Sequence, residues 1–423
     1  MATPLPSPGK QRRATNPSQL RQWGHPQPVR MVGRDKAAMV ESAGDFLALE
    51  DEWRALWKEA SDRSPFSCWE FASSWWRHFV TEGGNSATGE FRVLVARDER
   101  ENTLGFAPMF VEHNLGVPAF GTTLQPFGRS NTFETMTDEP MGALDPLLAG
   151  RALAVFNGYL RTQAREGHWD LAVSNTSATV EAFALKAPPA LRRQGSLVEV
   201  DRRLNGPVSV DLPASWEQYR GGLSKSMRDN IAYYPRRLRR EVGPFSVQIA
   251  RCPTEVAAAT QHLIHLHQRR SDGALPTAHR THLPGPGHVA FMTEVMERLA
   301  HAGLATVVTL SVGTQVVAAH AFLEAGNATW TYYSGFEPAW SKYSPLTILT
   351  AAYLEDAISN GVRQLHFSPG QTPWKARWGA RMRQPMQETS IYSLRPQALV
   401  RGVMRRLRWG QPRSKPRFAP VGG

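Results

Sequence analysis

At 423 residues the chain is long enough for two or three packed domains, and its 41% hydrophobic content is that of a folded protein. The net charge of +12 sits in the ends: residues 1–34 carry six Lys/Arg and residues 395–423 carry eight, neither with an acid, which leaves the stretch between at −2 and argues against a body built for nucleic acid. Two distant cysteines, Cys68 and Cys252, exclude a disulfide framework and a cysteine-rich zinc site and suit a reducing cytoplasm, and no apolar run nears the roughly 20 residues of a membrane span.

Residues 1–40, rich in Pro, Gln and Ser without apolar periodicity, read as a disordered basic tail, with no charged-then-apolar leader pattern. FLALEDEWRALWKEA sets Leu49, Trp53, Leu56 and Trp57 at helical spacing, and WEFASSWWRHFV predicts a second helix. FRVLVARDER and TLGFAPMFVEH flank the polar Glu101-Asn102 and predict a hairpin. A helix is expected over 150–166 and a strand over WDLAVSNT. A second unit begins near Val208 with the short strand VSVDL. SWEQYRGGLSKSMRDNI and PRRLRREVG predict two helices separated at Pro235, because proline lacks the N–H a helix interior needs. FSVQIARC predicts a strand and PTEVAAATQHLIHLHQRRSDG a helix. HRTHLPGPGHV reads as a loop with His279, His282 and His288 exposed, and HVAFMTEVMERLAHAG as the next helix. LATVVTLSV, QVVAAHAFLEA and ATWTYYSGF predict three strands turning at Gly313-Thr314 and Gly326-Asn327. A helix over Leu346–Asn360, stopped at Gly361, leads to the strand VRQLHFS, which must run parallel to the strand before the crossover. The class is α/β, with mixed and mostly antiparallel sheets flanked by helices. The terminal ALVRGVMRRLRW sets Val400, Val403, Met404 and Leu407 against Arg401, Arg405 and Arg408, and reads either as an interfacial helix on an anionic membrane or as a disordered basic tail.

Chemistry concentrates at Lys342-Tyr343-Ser344-Pro345, between a strand and a helix. A helix start offers unpaired N–H groups and a favourable dipole to an anion, Lys342 adds a cation, and the hydroxyls of Ser344 and Thr347 can donate. Ser344 before Pro345 is equally an ordinary helix cap. In GQTPWKARWG, Gly370 allows a tight turn and Trp374-Lys375 could cover a ligand or fold onto the core. SKSMRDNIAYYPRRLRRE carries six basic and two acidic residues, so Arg228, Arg236 and Arg240 could hold phosphates or form a solvated face. His265, His267 and Arg270 lie close on one helix without a carboxylate at ligand spacing, so no metal site is expected. No Walker loop, GxGxxG or GxSxG is present.

Taken in order, these pieces resemble the FemAB-like and CelD-like branch of the GNAT acyltransferases, associated with polysaccharide and cell-envelope biosynthesis. The resemblance covers roughly residues 45–394. It rests on W-x-x-L-W and F-x-x-S-W-W, then S-K-S-x-R and L-H-x-x-R, then Y-Y-S-G-F-E-P, the Ser-Pro helix start, the Asn-Gly helix end, L-x-F-x-x-G and W-K-A-R-W. It implies tandem GNAT-like domains, an N-terminal one over 41–205 and the acyltransferase one over 206–394, between basic tails 1–40 and 395–423. It implies acetyl-CoA or another acyl-CoA as cosubstrate, no metal, and an acceptor amine on a sugar or glycan precursor. Lys342, Ser344, Leu346, Thr347, Trp374 and Lys375 then fall to the cofactor. His366 or Glu337 falls to the base and Tyr333 or Tyr343 to the acid. Arg228, His267 and Arg270 fall to the substrate. Leu346 stands where the family often has glycine, and His366 where it often has an acid. Two other readings stay open: a Fem-like transferase using aminoacyl-tRNA, gripped by the basic helix, and a non-enzymatic part of a polysaccharide-assembly system. A cytoplasmic protein is expected, with the tails able to hold it at the inner face of an anionic membrane.

Overall fold

The structure, a computed structural model, describes residues 30–32, 35–60, 63–81, 89–113, 122–127, 149–176, 191–194, 197–204, 208–272, 281–368, 371–382 and 386–393. The first sheet takes β1 (Arg30–Val32), β2 (Asp35–Val40), β3 (Gly89–Arg97), β4 (Thr103–His113), β5 (Thr122–Pro126), β6 (Leu171–Thr176), β7 (Leu191–Gln194) and β8 (Leu197–Leu204). Its helices are α1 (Ala43–Ala48), α2 (Glu50–Glu59), α3 (Trp69–Trp76) and α4 (Ala149–Glu166). The second sheet takes β9 (Val208–Asp211), β10 (Phe245–Ala250), β11 (Ala305–Val312), β12 (Gln315–Ala325), β13 (Ala328–Phe336), β14 (Gln364–Phe367) and β15 (Arg381–Met382). Around it lie α5 (Trp216–Gly222), α6 (Lys225–Glu241), α7 (Pro253–Asp272), α8 (Pro286–His301), α9 (Pro345–Ser359) and α10 (Pro373–Arg377). The chain then returns to the first sheet as β16 (Met386–Tyr392), so the order there is β1-β2-β3-β4-β5-β6-β16-β8-β7. The second sheet runs β10-β11-β12-β13-β14-β9-β15.

Both sheets use one plan. Antiparallel strands lead to a crossover helix and a parallel strand: β5 and β6 around α4, β13 and β14 around α9. The parallel last strand expected after Leu346–Asn360 is present, and so is the expected mixed α/β class with two helix-flanked sheets in tandem. α4 covers one face of the first sheet through Leu94, Leu104, Met109 and Leu160. α5, α6 and α9 cover one face of the second through Leu238, Leu349 and Leu354. The two remaining faces share one core, in which Trp53, Trp75 and Phe106 of the first unit join Phe291, Tyr332 and Trp330 of the second. Burial of this aromatic area is non-directional and drives the halves together; edge-to-face pairs such as Phe71–Phe291, 5.6 Å apart at 82°, add geometry.

Three sequence expectations are corrected. Residues 35–40, read as part of the disordered tail, pair with β3 and bury Ala37 and Val40. His288, read as an exposed loop residue, belongs to α8 and packs 5.1 Å from the ring of Phe79; burial lowers its imidazole below the usual range. Pro235 does not separate two helices, because α6 runs through it and the break falls at Leu223–Ser224. Pro235 forfeits only its own hydrogen bond to the Ile231 carbonyl, and Arg236 Nε adds one to the neighbouring Ala232 carbonyl at 2.8 Å. Residues 1–29 and 394–423, which include the basic tails and the candidate interfacial helix, lie outside the described residues, as do His279 and Gly370. Among the described residues no helix is long and apolar enough to cross a membrane.

Candidate functional site

β13 and β14 stay paired only at their first residues, Ala328↔Gln364 to Trp330↔His366. Beyond Trp330, β13 runs on to Phe336 and among the described residues no strand pairs with it on that side, so that edge is open, while β12 closes the other edge. A slip in register between His320 and Phe322 places an extra residue in β13 at Tyr332-Tyr333. Both tyrosines therefore join the shared core, and the alternation is reset beyond them. Gly335 then faces α7, whose backbone comes so close that a Cβ there would lie 2.3 Å from the His267 nitrogen. No residue but glycine allows this approach.

α9 begins at the mouth of the open edge, and its start is not an ordinary cap. Ser344 adopts φ 47°, ψ 55°, left-handed backbone, and its side chain bonds no backbone N–H; Oγ meets Thr347 Oγ1 at 2.8 Å. Pro345 has no N–H, and Thr347 N donates to Ser344 O at 2.9 Å. Among the described residues nothing accepts from Leu346 N–H. The Leu346 side chain packs against the core on the α9 side, so its bulk is turned inward where a glycine was expected to be needed. Lys342 is exposed, with Nζ 4.9 Å from the Tyr343 ring centroid and 4.0 Å from Glu241. Arg237 lies over the same ring at 5.5 Å and donates to the Lys342 carbonyl at 3.1 Å. The mouth thus gathers Lys342, Tyr343, Ser344, Leu346 and Thr347, and adds Arg237, which the sequence reading did not select.

A second group lines the open stretch of β13. His267 is buried, with Nδ1 3.0 Å from the Ser334 carbonyl, and His282 N–H donates to its Nε2 at 3.3 Å. These partners fix the neutral tautomer with the proton on Nδ1. Tyr333 Oη donates to the His282 carbonyl at 3.3 Å. Glu337 is held by Arg269, at 2.8 and 3.2 Å. Arg270 Nη1 reaches Ser334 Oγ at 3.4 Å.

The remaining candidates lie apart. His366 is at the apex of the opening, stacked on Trp330 at 4.6 Å and 9°, with Nε2 donating to Gln364 Oε1 at 2.9 Å. Trp374 packs edge-on to Phe367 at 5.3 Å, and the buried Lys375 bonds the carbonyl and, at 2.9 Å, the hydroxyl of Ser368. Both are on α10, next to the far end of β14. Arg228 lies away from the opening: its Nη1 closes the end of α5, donating to Leu223 O at 2.5 Å and Gly221 O at 3.2 Å. His320, which the sequence reading missed, is buried opposite Ser334 with Nδ1 3.3 Å from Thr350 Oγ1. A histidine inside an apolar strand gave no signal of its own; only the strand register brings it beside Ser334.

Residues 225–376 match the family model described as an acetyltransferase (GNAT) domain. Among solved structures the chain is similar to FemX, with a TM-score of 0.55 at 8% identity over 83% of this chain and 98% of that one. A conserved protein of unknown function from Bacteroides thetaiotaomicron matches with a TM-score of 0.46 at 10% identity, over 84% and 99%. A tandem GNAT protein from the clavulanic acid biosynthesis pathway matches at 0.39 and 13% identity, over 85% and 99%. No curated protein sequence matches the chain. Residues 225–376 are thus similar to a GNAT acetyltransferase domain, in a chain whose overall fold is similar to that of FemX.

Proposed function

We propose that this protein moves an acyl group, most simply acetyl, from acyl-CoA to an amine of a sugar or other polysaccharide or envelope precursor. The observation that carries the reading is the open edge of β13 with the uncommitted Leu346 N–H at its mouth. Pyrophosphate suits that helix start, beside Lys342 and Arg237. The backbone of β13 beyond Trp330, apart from the Ser334 carbonyl that His267 holds, offers hydrogen bonds to the pantetheine arm and to the thioester carbonyl. The amine attacks that carbonyl, the C–S bond breaks, the amine proton passes to a base and the thiolate takes a proton from an acid. His366 suits the base, at the apex and oriented by its hydrogen bond to Gln364. Glu337 suits it less, since Arg269 grips both its oxygens. Tyr333 suits the acid, as its hydroxyl already donates; Tyr343 sits at the phosphate end instead.

Calorimetric titration with acetyl-CoA and longer acyl-CoAs tests the donor. Leu346→Pro removes the N–H at a helix position that tolerates proline and is expected to weaken binding roughly tenfold, about 1.4 kcal/mol. Unchanged affinity would dismiss the phosphate site, and no binding by the native chain would dismiss the acyl-CoA reading. For His366→Ala the expected result is lost turnover with a lost acidic limb of the pH–rate profile; an unchanged profile removes His366 as base. Aminoacyl-tRNA is the second reading, favoured by the exposed Lys225, Arg236, Arg239 and Arg240 beside exposed Tyr233 on α6. It requires tRNA binding that falls steeply with salt.

A further inference from the structure

Arg270 changes sides of the sheet. α7 packs on the face of β13 that Gly335 presents, so Ser334 and Phe336, one residue either way, point to the opposite face. Yet the Arg270 guanidinium, coming from α7, lies 4.9 Å from the Phe336 ring centroid and 3.4 Å from Ser334 Oγ. A side chain crosses a sheet only around an open strand edge. Here β12 closes one edge through His320↔Ser334 and Ala318↔Phe336, and the other is the edge that β14 leaves after Trp330↔His366. The guanidinium therefore stands in the opening between β13 and β14, entering from the α7 side.

Its charge is not balanced there. Among the described residues no carboxylate pairs with Arg270, and its Nε is buried without an acceptor. Glu337, the carboxylate that follows Phe336, is taken by Arg269. Burial lowers the guanidinium from its usual value, the sign of a charge deprived of water and of a partner. A half-buried guanidinium without a counter-ion costs stability in the free protein, and its planar edge matches a carboxylate or phosphate through two hydrogen bonds. Lys342 and Arg237 already stand at the helix start that suits the donor's phosphates, which leaves Arg270, entering from α7, for the other substrate.

We propose that Arg270 selects an acceptor bearing a carboxylate or phosphate beside its nucleophile, gripping that group through its Nε–H and Nη–H edge. Assigning the anion to the acceptor rests on the acyl-transfer reading; binding of the anion at Arg270 does not. The test is thermal unfolding of the full chain with two matched probe pairs, glycine against ethanolamine and glucosamine 6-phosphate against glucosamine. In the native chain the member that carries the carboxylate or phosphate is expected to raise Tm by several degrees more than the partner that lacks it, and the pair that responds separates carboxylate from phosphate. Arg270→Met is expected to abolish the difference while its own ligand-free Tm equals or exceeds the native value. No difference in the native chain overturns the proposal, and so does a difference that survives in Arg270→Met. Should that variant not fold, Arg270→Lys, which keeps the charge but loses the two-pronged edge, decides: a difference of native size overturns the proposal and a reduced one supports it. Acetyl-CoA is titrated in parallel. Its failure to bind, with the anion effect intact, would sink the acyl-CoA reading and spare this one.

Discussion

Ser344 spends backbone strain of about 1 kcal/mol in a left-handed conformation without being glycine, and the proline after it favours extended backbone instead. What the strain accomplishes is local. It turns the serine hydroxyl toward Thr347 and away from the helix N–H groups, so the cap that sequence chemistry suggested is not made. That difference was not legible, because Ser-Pro is compatible with either backbone state. His320 carries a second residue-scale consequence. Burial, aided by the charge of Arg270, lowers its imidazole from 6.5 to about 3. The unfolded chain takes up this proton below pH 6.5 and the folded chain only below about 3, so stability present above 6.5 is lost as pH falls toward 3. The slope is at most about 1.4 kcal/mol per pH unit. His320→Gln is predicted to flatten it, so that urea unfolding at pH 6.5 and 4.5 shows a loss smaller by about 2 kcal/mol than in the native chain. Equal losses would show that His320 does not titrate as its burial implies.

At the scale of the element, β13 and α7 are made for each other at one atom's width. A methyl group on Gly335 would lie within 2.8 Å of three backbone atoms of Leu266 and His267, so α7 would have to move bodily. Gly335→Ala is predicted to cost about 3 kcal/mol or more, read as a lowered urea midpoint. Gly287→Ala, in α8 with no atom within 4 Å of the added carbon, is predicted to be neutral or to stabilise by up to about 1 kcal/mol. Equal effects of the two would refute the close approach. Most elements of the second unit were legible because their apolar periods are clean: β11, β12 and α8 fall where the patterns placed them. The bulge at Tyr332-Tyr333 was not, since one inserted residue reverses every later side chain without leaving a trace in composition. For that reason His267 and Arg270 could be picked as candidates while their relation to Ser334 could not. Pro235 misled for a converse reason: one proline forfeits one hydrogen bond, and the rest of α6 carries the helix through it.

For the molecule as a whole, the return of the chain to its first sheet outweighs any single contact. β16 sits between β6 and β8, pairing with both through Gln387–Tyr392, and buries Ile391 and Tyr392. A chain ending at Met382 is predicted to lose the native first sheet, although every other strand of that sheet precedes residue 205. Limited proteolysis should then cut within the first 204 residues, and a native-like digestion pattern would count against the pairing. Nothing in the sequence pattern assigned 386–392 to the distant sheet, because period-2 alternation marks a strand and not its partner. The shared aromatic core was equally hidden, though its residues, Trp53, Trp75 and Phe291 among them, were visible as apolar faces.

The returning strand also sets a schedule for the ribosome. Between the emergence of β6 and that of β16 the whole second unit must be made, on the order of ten to forty seconds at ordinary translation rates. Throughout that interval the nascent chain holds an unpaired β6 edge, while β9 to β15 are contiguous and free to fold first. The half synthesised first is thus completed last. The burden of keeping the young polypeptide from aggregating falls on the half without the proposed acyl-transfer site.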